Sequence, residues 1–411
     1  MTGRTVVIGG GAAGIAAART LHDTGCDVLL VEAADRLGGR ARSVRLPTGH
    51  VVDHGCGWLH SAKRNPWTAI AERAGFTIDR RSPNWQVQWN DLGFPPDEKR
   101  ASGEAYARFE DAAMAALDGP DRPLSEFVGD DDPWRPMIDA ISGYANGAAL
   151  AEVSLHDWAA YENAATDDNW AVVEGYGTVI ACHAAGLTIR TGVTATRIDH
   201  HGKTIRIDTS AGTIEADHVV VAVPTTVLAE GRLTFDPPLP AKQDAAAALP
   251  LGIADKVFLS VEGPLPWSAH AHLTGNPHGA CTASHRLSPF GWPIVESFFG
   301  GPCAEALEGD GAAAAFAIDE LVTLLGSDWR GRFTPLDATR WRHVPLIGGS
   351  YSHARIGHAG ARQTLAEPVD GRLFFAGEAC SREDFSTAHG AYATGVAAAW
   401  AIVDETADPG L

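Results

Sequence analysis

The stretch Thr5–Arg42, TVVIGGGAAGIAAARTLHDTGCDVLLVEAADRLGGRAR, decides the fold. Its apolar start, Thr5–Ile8, predicts a buried parallel strand, which feeds Gly9-x-Gly11-x-x-Gly14 directly into an Ala-rich helical segment ending near Gly25. Gly9 permits the tight turn, Gly11 lets a phosphate-bearing ligand approach the backbone, and Gly14 lets helix and strand pack closely. Ala13 sits in the first turn, where the helix N-terminus offers free N–H groups and a positive dipole. A second strand, Asp27–Val31, ends at Glu32, roughly 20 residues beyond the glycines, where a carboxylate accepts hydrogen bonds from ribose hydroxyls. The order of strand, glycine turn, helix, strand and acid predicts a dinucleotide site. A nicotinamide-dependent dehydrogenase would use the same fingerprint.

Composition narrows the options. A chain of 411 residues predicts two domains or one large two-part α/β enzyme, and 45% apolar residues make it globular. The formal charge of −19, from 51 acidic against 32 basic residues, argues against nucleic acid as a partner, because phosphate backbones require a basic face. No apolar run reaches about 18 residues, so no membrane span is expected. The first strand begins within a few residues of Met1, leaving no room for a secretory signal, and a cytoplasmic location is expected. Six scattered cysteines, Cys26, Cys56, Cys182, Cys281, Cys303 and Cys380, show no C-x-x-C pair, so reduced thiols and no metal site are expected.

The remaining chain reads as interleaved. Val51–His60 is a short strand and a Gly-rich bend, and residues 65–165 carry helical periodicity, as in Pro66–Ala74 and Gly103–Leu117. Gly186–Asp199 and Thr204–Asp208 alternate as strands do, and Ala216–Val223 is an apolar strand stopped by Pro224. Lys256–Val261 and Ile294–Phe299 predict a second sheet. Ala312–Leu325 predicts a helix with Asp310 near its start, followed by the strand Leu373–Phe375 and a last helix from about Thr387 to Ala401.

Several of these segments carry a family resemblance. Arg36-Leu37-Gly38-Gly39-Arg40, just after the ribose-binding glutamate, resembles the R-x-G-G-R segment of the flavin-containing amine oxidases, the group of monoamine oxidases, polyamine oxidases and lysine-specific demethylases. The C-terminal LFFAGEACSREDFSTAHGAYATGVAAAW resembles the segment with which that family closes over its FAD. The resemblance implies that Gly39, Arg40, Gly57, Val193, Trp341, Gly377, Glu378, Thr387 and Ala388 join Gly9, Gly11, Ala13, Gly14 and Glu32 around FAD. Val193 would contact adenine through its backbone. Lys256, opening an apolar strand, would be the family's lysine that holds a water against flavin N5, and Tyr351 of the Gly-Gly-Ser-Tyr-Ser loop would wall the flavin face. Ser350 stands where monoamine oxidases place a flavin-linked cysteine, so FAD is expected to be non-covalent. Thr387 stands where they place a second tyrosine, so the two-tyrosine cage is absent. Trp58-Leu59-His60 is similar to the polyamine-oxidase W-x-H segment, whose histidine touches a distal substrate nitrogen. Glu162 and Glu296 are further candidates for a second ammonium.

The resulting expectation is an α/β protein. A Rossmann-type FAD-binding domain of the glutathione-reductase kind (1–64, 170–238, 335–411) is interleaved with an α+β substrate domain (65–169, 239–334). The implied reaction oxidises the C–N bond of a primary or secondary amine to an imine by hydride transfer to flavin N5, with dioxygen as the second substrate and peroxide as product. Alternatives are an L-amino-acid oxidase or desaturase-like flavoprotein, the former needing an arginine such as Arg286 or Arg342, or a flavin-loaded interaction module with little turnover. Oligomeric state stays open, a homodimer being one option.

Overall fold

The computed structural model describes residues 3–81 and 83–407. Thr5–Ile8 is the central strand of a five-stranded parallel sheet, with the helix Ala12–Asp23 crossing to Val28–Val31 beside it. Ile189–Arg190 lies beyond Val28–Val31, while His218–Val221 and then Leu373–Phe375 continue the other side. Val7, Leu30, Val220 and Phe374 pack under the helices on one face, and Val6, Leu29, Val219 and Phe375 pack into a second core on the other. Burial on both faces is why these strands read as continuous apolar runs instead of alternating. This is the α/β Rossmann-type architecture expected from the opening stretch.

The last helix, Ala388–Ala407, packs across the opening helix. Their close approach depends on Gly395, because a Cβ there would stand 2.1 Å from the Ala13 carbonyl oxygen.

A second, antiparallel sheet runs in the order Ala271–Thr274, Ser284–Leu287, Ile294–Gly300, Ala254–Val261, Phe333–Ala338. Val257, Leu259, Val295, Leu273 and Leu287 point to one face and pack on Ala314, Ala317 and Leu321 of the helix Ala312–Leu325. By the two-residue alternation of strands, the opposite face carries Lys256, Phe258, Glu296, Phe298 and Arg286. The register sets Glu296 across from both Phe258 and Arg286. Helices Pro66–Arg73, Pro96–Met114, Arg135–Asn146 and Leu155–Ala164 fill the region expected to be helical. The Pro96 helix starts earlier than its apolar periodicity suggests. Proline in its first turn, with Asp97 and Glu98, favours initiation without contributing to an apolar stripe.

Two expectations are corrected. Cys281 and Cys303 form a disulfide, joining the loop before Ser284–Leu287 to the helix Gly301–Ala306, so these two are not reduced thiols. Asp310 does not cap Ala312–Leu325; Gly311 holds the cap position, and the Asp310 carboxylate pairs with Arg340 at 2.9 Å. The edge strand Phe333–Ala338 pairs with Ala254–Val261.

The crossing gives a test by opposite signs. Gly395→Ala should lower Tm, since the added methyl drives two helices apart at an overpacking cost of about 1–3 kcal/mol. Gly103→Ala, inside Pro96–Met114 with open space where a Cβ would go, should leave Tm unchanged or raise it. Equal effects in thermal unfolding would remove the close-approach role.

Candidate functional site

The glycines of the opening turn divide into two groups. A Cβ on Gly14 would fall 1.8 Å from the Gly9 carbonyl oxygen, and one on Gly9, whose φ is +107°, would meet the Ala222 carbonyl at 2.4 Å. These two are fixed by packing. At Gly11, and at Gly377 across the sheet, a Cβ would meet nothing within 4 Å, so both backbones border open space. The Arg36–Arg40 turn docks on this loop: the Gly38 N–H donates to the Gly10 carbonyl at 2.8 Å, and a Cβ on Gly39 would lie 3.4 Å from Gly11 Cα. The Glu32 carboxylate accepts from the backbone N–H groups of Gly10, at 2.5 Å, and Ala34, at 2.7 Å. A carboxylate has about four lone-pair positions, so acceptor capacity remains for a ribose. An open glycine edge, a helix N-terminus and an acid at the second strand's end fit a dinucleotide.

Val193 lies beside Glu32, but its N–H already donates to the Glu32 carbonyl at 2.9 Å, leaving only its carbonyl for an adenine. Trp341 is buried, its indole N–H donating to the His54 carbonyl at 3.1 Å. Ala388 opens the last helix and accepts from the Trp67 indole at 3.0 Å. Thr387 spends its hydroxyl on that helix, accepting from the Gly390 N–H at 2.9 Å and donating to the Asp384 carbonyl at 2.6 Å.

Glu378 joins three distant segments. Its Oε1 accepts from Arg40 at 2.8 Å and from the Ser352 N–H at 3.2 Å; its Oε2 accepts from the Ser352 hydroxyl at 2.7 Å and the Ser386 N–H at 2.9 Å. Ser352 Oγ also accepts from Arg362 at 2.9 Å, and Arg362 forms a buried pair with Asp157 at 2.6 and 2.8 Å. Burial alone would raise the Glu378 pKa, but the Arg40 and Arg362 charges and the hydrogen bonds hold it below the ordinary glutamate range. The Glu378 carboxylate is thus spent on protein groups.

Lys256 is buried where the second sheet meets the first lobe. Its ammonium donates to the Asp53 carbonyl at 2.9 Å and pairs with Glu296 at 2.9 Å, and a Cβ on Gly57 would lie 3.2 Å from it. Glu296 is shared with Arg286 at 3.4 Å, and the Arg286 guanidinium lies 4.3 Å over the Trp58 ring. Trp58 meets Trp85 edge-on at 5.3 Å, and His60 lies 6.3 Å from Trp85. The residues Lys256, Trp58 and His60, singled out from sequence, therefore share one wall. Glu296 belongs to it as a counter-ion between two cations, which leaves no free carboxylate for a second ammonium. Glu162 lies apart, in Leu155–Ala164, where burial and then Glu110 push its pKa to about 7.

Tyr351 donates its hydroxyl to the Tyr144 carbonyl, and Tyr144 in turn donates to the Thr282 carbonyl at 2.8 Å while its ring lies 5.9 Å from Phe298. Tyr144 and Trp85 were not read as site residues, and Arg286 was named only as an unplaced arginine for the amino-acid oxidase alternative. Only the alternation around Phe298 could have signalled that this sheet face looks away from its helix.

The chain matches the flavin containing amine oxidoreductase family over residues 12–403. It belongs to that family, and its cofactor is FAD. It is similar to polyamine oxidase 2 of Arabidopsis thaliana, with 31% identity over 96% of this chain and 86% of the relative. It is also similar to human lysine-specific histone demethylase 2, with 27% identity over 95% of this chain but 52% of that protein. The structure of cyclohexylamine oxidase from Brevibacterium oxydans IH-35A superposes with a TM-score of 0.81 at 22% identity, over 99% of this chain and 100% of that one, which establishes the common fold.

Removing Glu378 should be costly. Glu378→Gln leaves Arg40 and Arg362 short of a counter-charge, an expected loss of about 3 kcal/mol at neutral pH. Because the folded pKa is depressed, the carboxylate's contribution is complete above the unfolded value of about 4.3 and disappears as pH falls through the folded value. The Tm gap between parent and variant should therefore close on acidification. A gap constant with pH would show that the charge is not responsible.

Proposed function

We propose that the chain is an FAD-dependent oxidase of extended primary or secondary amines. The carrying observation is the shared wall of Lys256, Trp58 and His60, a buried ammonium next to an aromatic and imidazole stretch. When bound, FAD supplies the two-electron acceptor for the C–H bond beside nitrogen, and dioxygen regenerates it with release of peroxide. Lys256 keeps a fixed positive charge and a donor at the cofactor wall, where pre-oriented charge acts without solvent reorganisation. Tyr351, tethered through Tyr144, gives one side of the pocket, and Thr387 adds no second aromatic wall. Residues that position the amine and exclude water do the protein's share of the work.

A second reading has a specific observation in its favour. Arg286 is nine-tenths buried on the same wall and could read the carboxylate of an amino acid, whereas Arg342 is exposed and held by Glu305 and Glu308. A third, an interaction module with little turnover, predicts no peroxide.

Two measurements test the proposal. The protein should purify yellow and release intact FAD into the supernatant on acid precipitation, and a flavin retained in the pellet would refute non-covalent binding at Ser350. In an amine panel followed by anaerobic bleaching and peroxide release, polyamines and diamines should exceed benzylamine in kcat/KM. A benzylamine preference would move the assignment to the monoamine oxidases, and bleaching by amino acids alone would move it to the Arg286 reading. Lys256→Met should retain FAD yet slow one or both half-reactions, and unchanged stopped-flow rates would make Lys256 purely structural.

A further inference from the structure

The segment carrying His60 is zippered to residues 168–170. Leu59 and Trp170 form an antiparallel bridge, exchanging N–H···O=C bonds of 2.7 and 3.2 Å, and the Ala62 N–H donates to the Asp168 carbonyl at 2.8 Å. That pairing brings the Asn169 amide to the His60 ring, with Nδ1 and Oδ1 2.6 Å apart. The orientation of the amide is set independently: Asn169 Nδ2 donates to the Asp167 carbonyl at 3.0 Å. Oδ1 is therefore the amide's acceptor, and an acceptor facing a ring nitrogen requires a hydrogen on that nitrogen. In a neutral imidazole the other nitrogen is then bare. The ring is neutral: burial, against a partial offset from Asn169, lowers its pKa to about 4, and Lys256 and His389 oppose a further positive charge. Among the described residues, His60 Nε2 has no protein partner, and it is not among the fully enclosed polar atoms.

We infer that Asn169 is a positioning residue that fixes His60 in the Nδ1–H tautomer and so presents the Nε2 lone pair to an N–H at the far end of the amine. This rests on the extended-amine reading. A lone pair accepts from a distal ammonium, whereas an Nε2–H or an imidazolium would turn that ammonium away. Specificity for a second nitrogen would come from a neutral acceptor held in one tautomer, on a wall whose one nearby carboxylate, Glu296, is already claimed by Lys256 and Arg286.

Asn169→Asp keeps the shape of the side chain but puts a negative charge against Nδ1, which favours protonation of both ring nitrogens. Asn169→Leu removes the lock without adding charge. The charged groups that bear on His60 are Lys256 from the second sheet and His389 from the last helix, and both are retained in these variants. In the FAD-loaded protein labelled with 15N-histidine, His60 is assigned by its disappearance in His60→Gln. The parent should show the Nδ1–H tautomer near pH 7, Asn169→Asp an imidazolium, and Asn169→Leu a mixture. The kcat/KM ratio of putrescine to butylamine should fall about tenfold or more in Asn169→Asp, the scale of one hydrogen bond to a charged group, and recover toward pH 9 as the ring loses its second proton. An Nε2–H tautomer in the parent, or an unchanged ratio in Asn169→Asp, would overturn the inference, as would equal losses for both amines. If neither amine bleaches the flavin while benzylamine or amino acids do, the extended-amine reading fails instead. The NMR result still decides whether Asn169 sets the tautomer.

Discussion

The Glu378 carboxylate is the contact on which the cofactor lobe depends. Its oxygens collect donors from the Arg36–Arg40 turn, the Ser350–Ser352 loop and the start of the last helix, the first of them 338 residues away in the chain. A buried carboxylate costs several kcal/mol unless its lone pairs are filled and its charge is matched. Arg40 matches it directly, and Arg362 does so through the Ser352 hydroxyl while holding Asp157. Losing Arg362 would leave Asp157 buried and unpaired, and losing Arg40 would remove the direct counter-charge of Glu378. The network therefore behaves as one unit that assembles whole.

The second sheet follows a different rule. One face is apolar and rests on a helix; the other carries a row of alternating charge, Lys256, Glu296 and Arg286. One carboxylate between two cations leaves the row with net positive charge. That charge lies near the aromatic stretch of Trp58 and Trp85, where a cation stacked on a ring is stabilised by the ring's quadrupole. The polar ends of the wall are held both across the strands, by Glu296, and from outside the sheet, by the Asp53 carbonyl and the His270 ring.

The sequence showed the cofactor lobe well because each of its parts carries a local signature. Thr5–Ile8 and Leu373–Phe375 have the predicted ends. The substrate side was less legible. Ser284–Leu287, SHRL followed by SPFGW, lacks β-branched residues and looks like a loop, so Arg286 could not be placed. Asn169 lies in ATDDNW, a turn by composition, and meets His60 only through the long-range bridge of Leu59 to Trp170. Cys281 and Cys303 lie 22 residues apart with no spacing motif, and only the folding of Gly301–Ala306 against the loop brings them together. The motif around Glu378 fixes where it lies but not which groups fill its lone pairs, so the Ser352 and Ser386 contacts were not legible.

The crossing of the last helix over the first has a consequence for how the chain is made. The dinucleotide turn leaves the ribosome well before the helix that covers Ala13 and the strand Leu373–Phe375 that extends the sheet. At about 5–20 residues per second, roughly 20–70 s separate the two. Throughout that interval the apolar faces of the opening strands and helix lack their final partners. The nascent chain is most exposed to misassociation at the end that its own motif marks first.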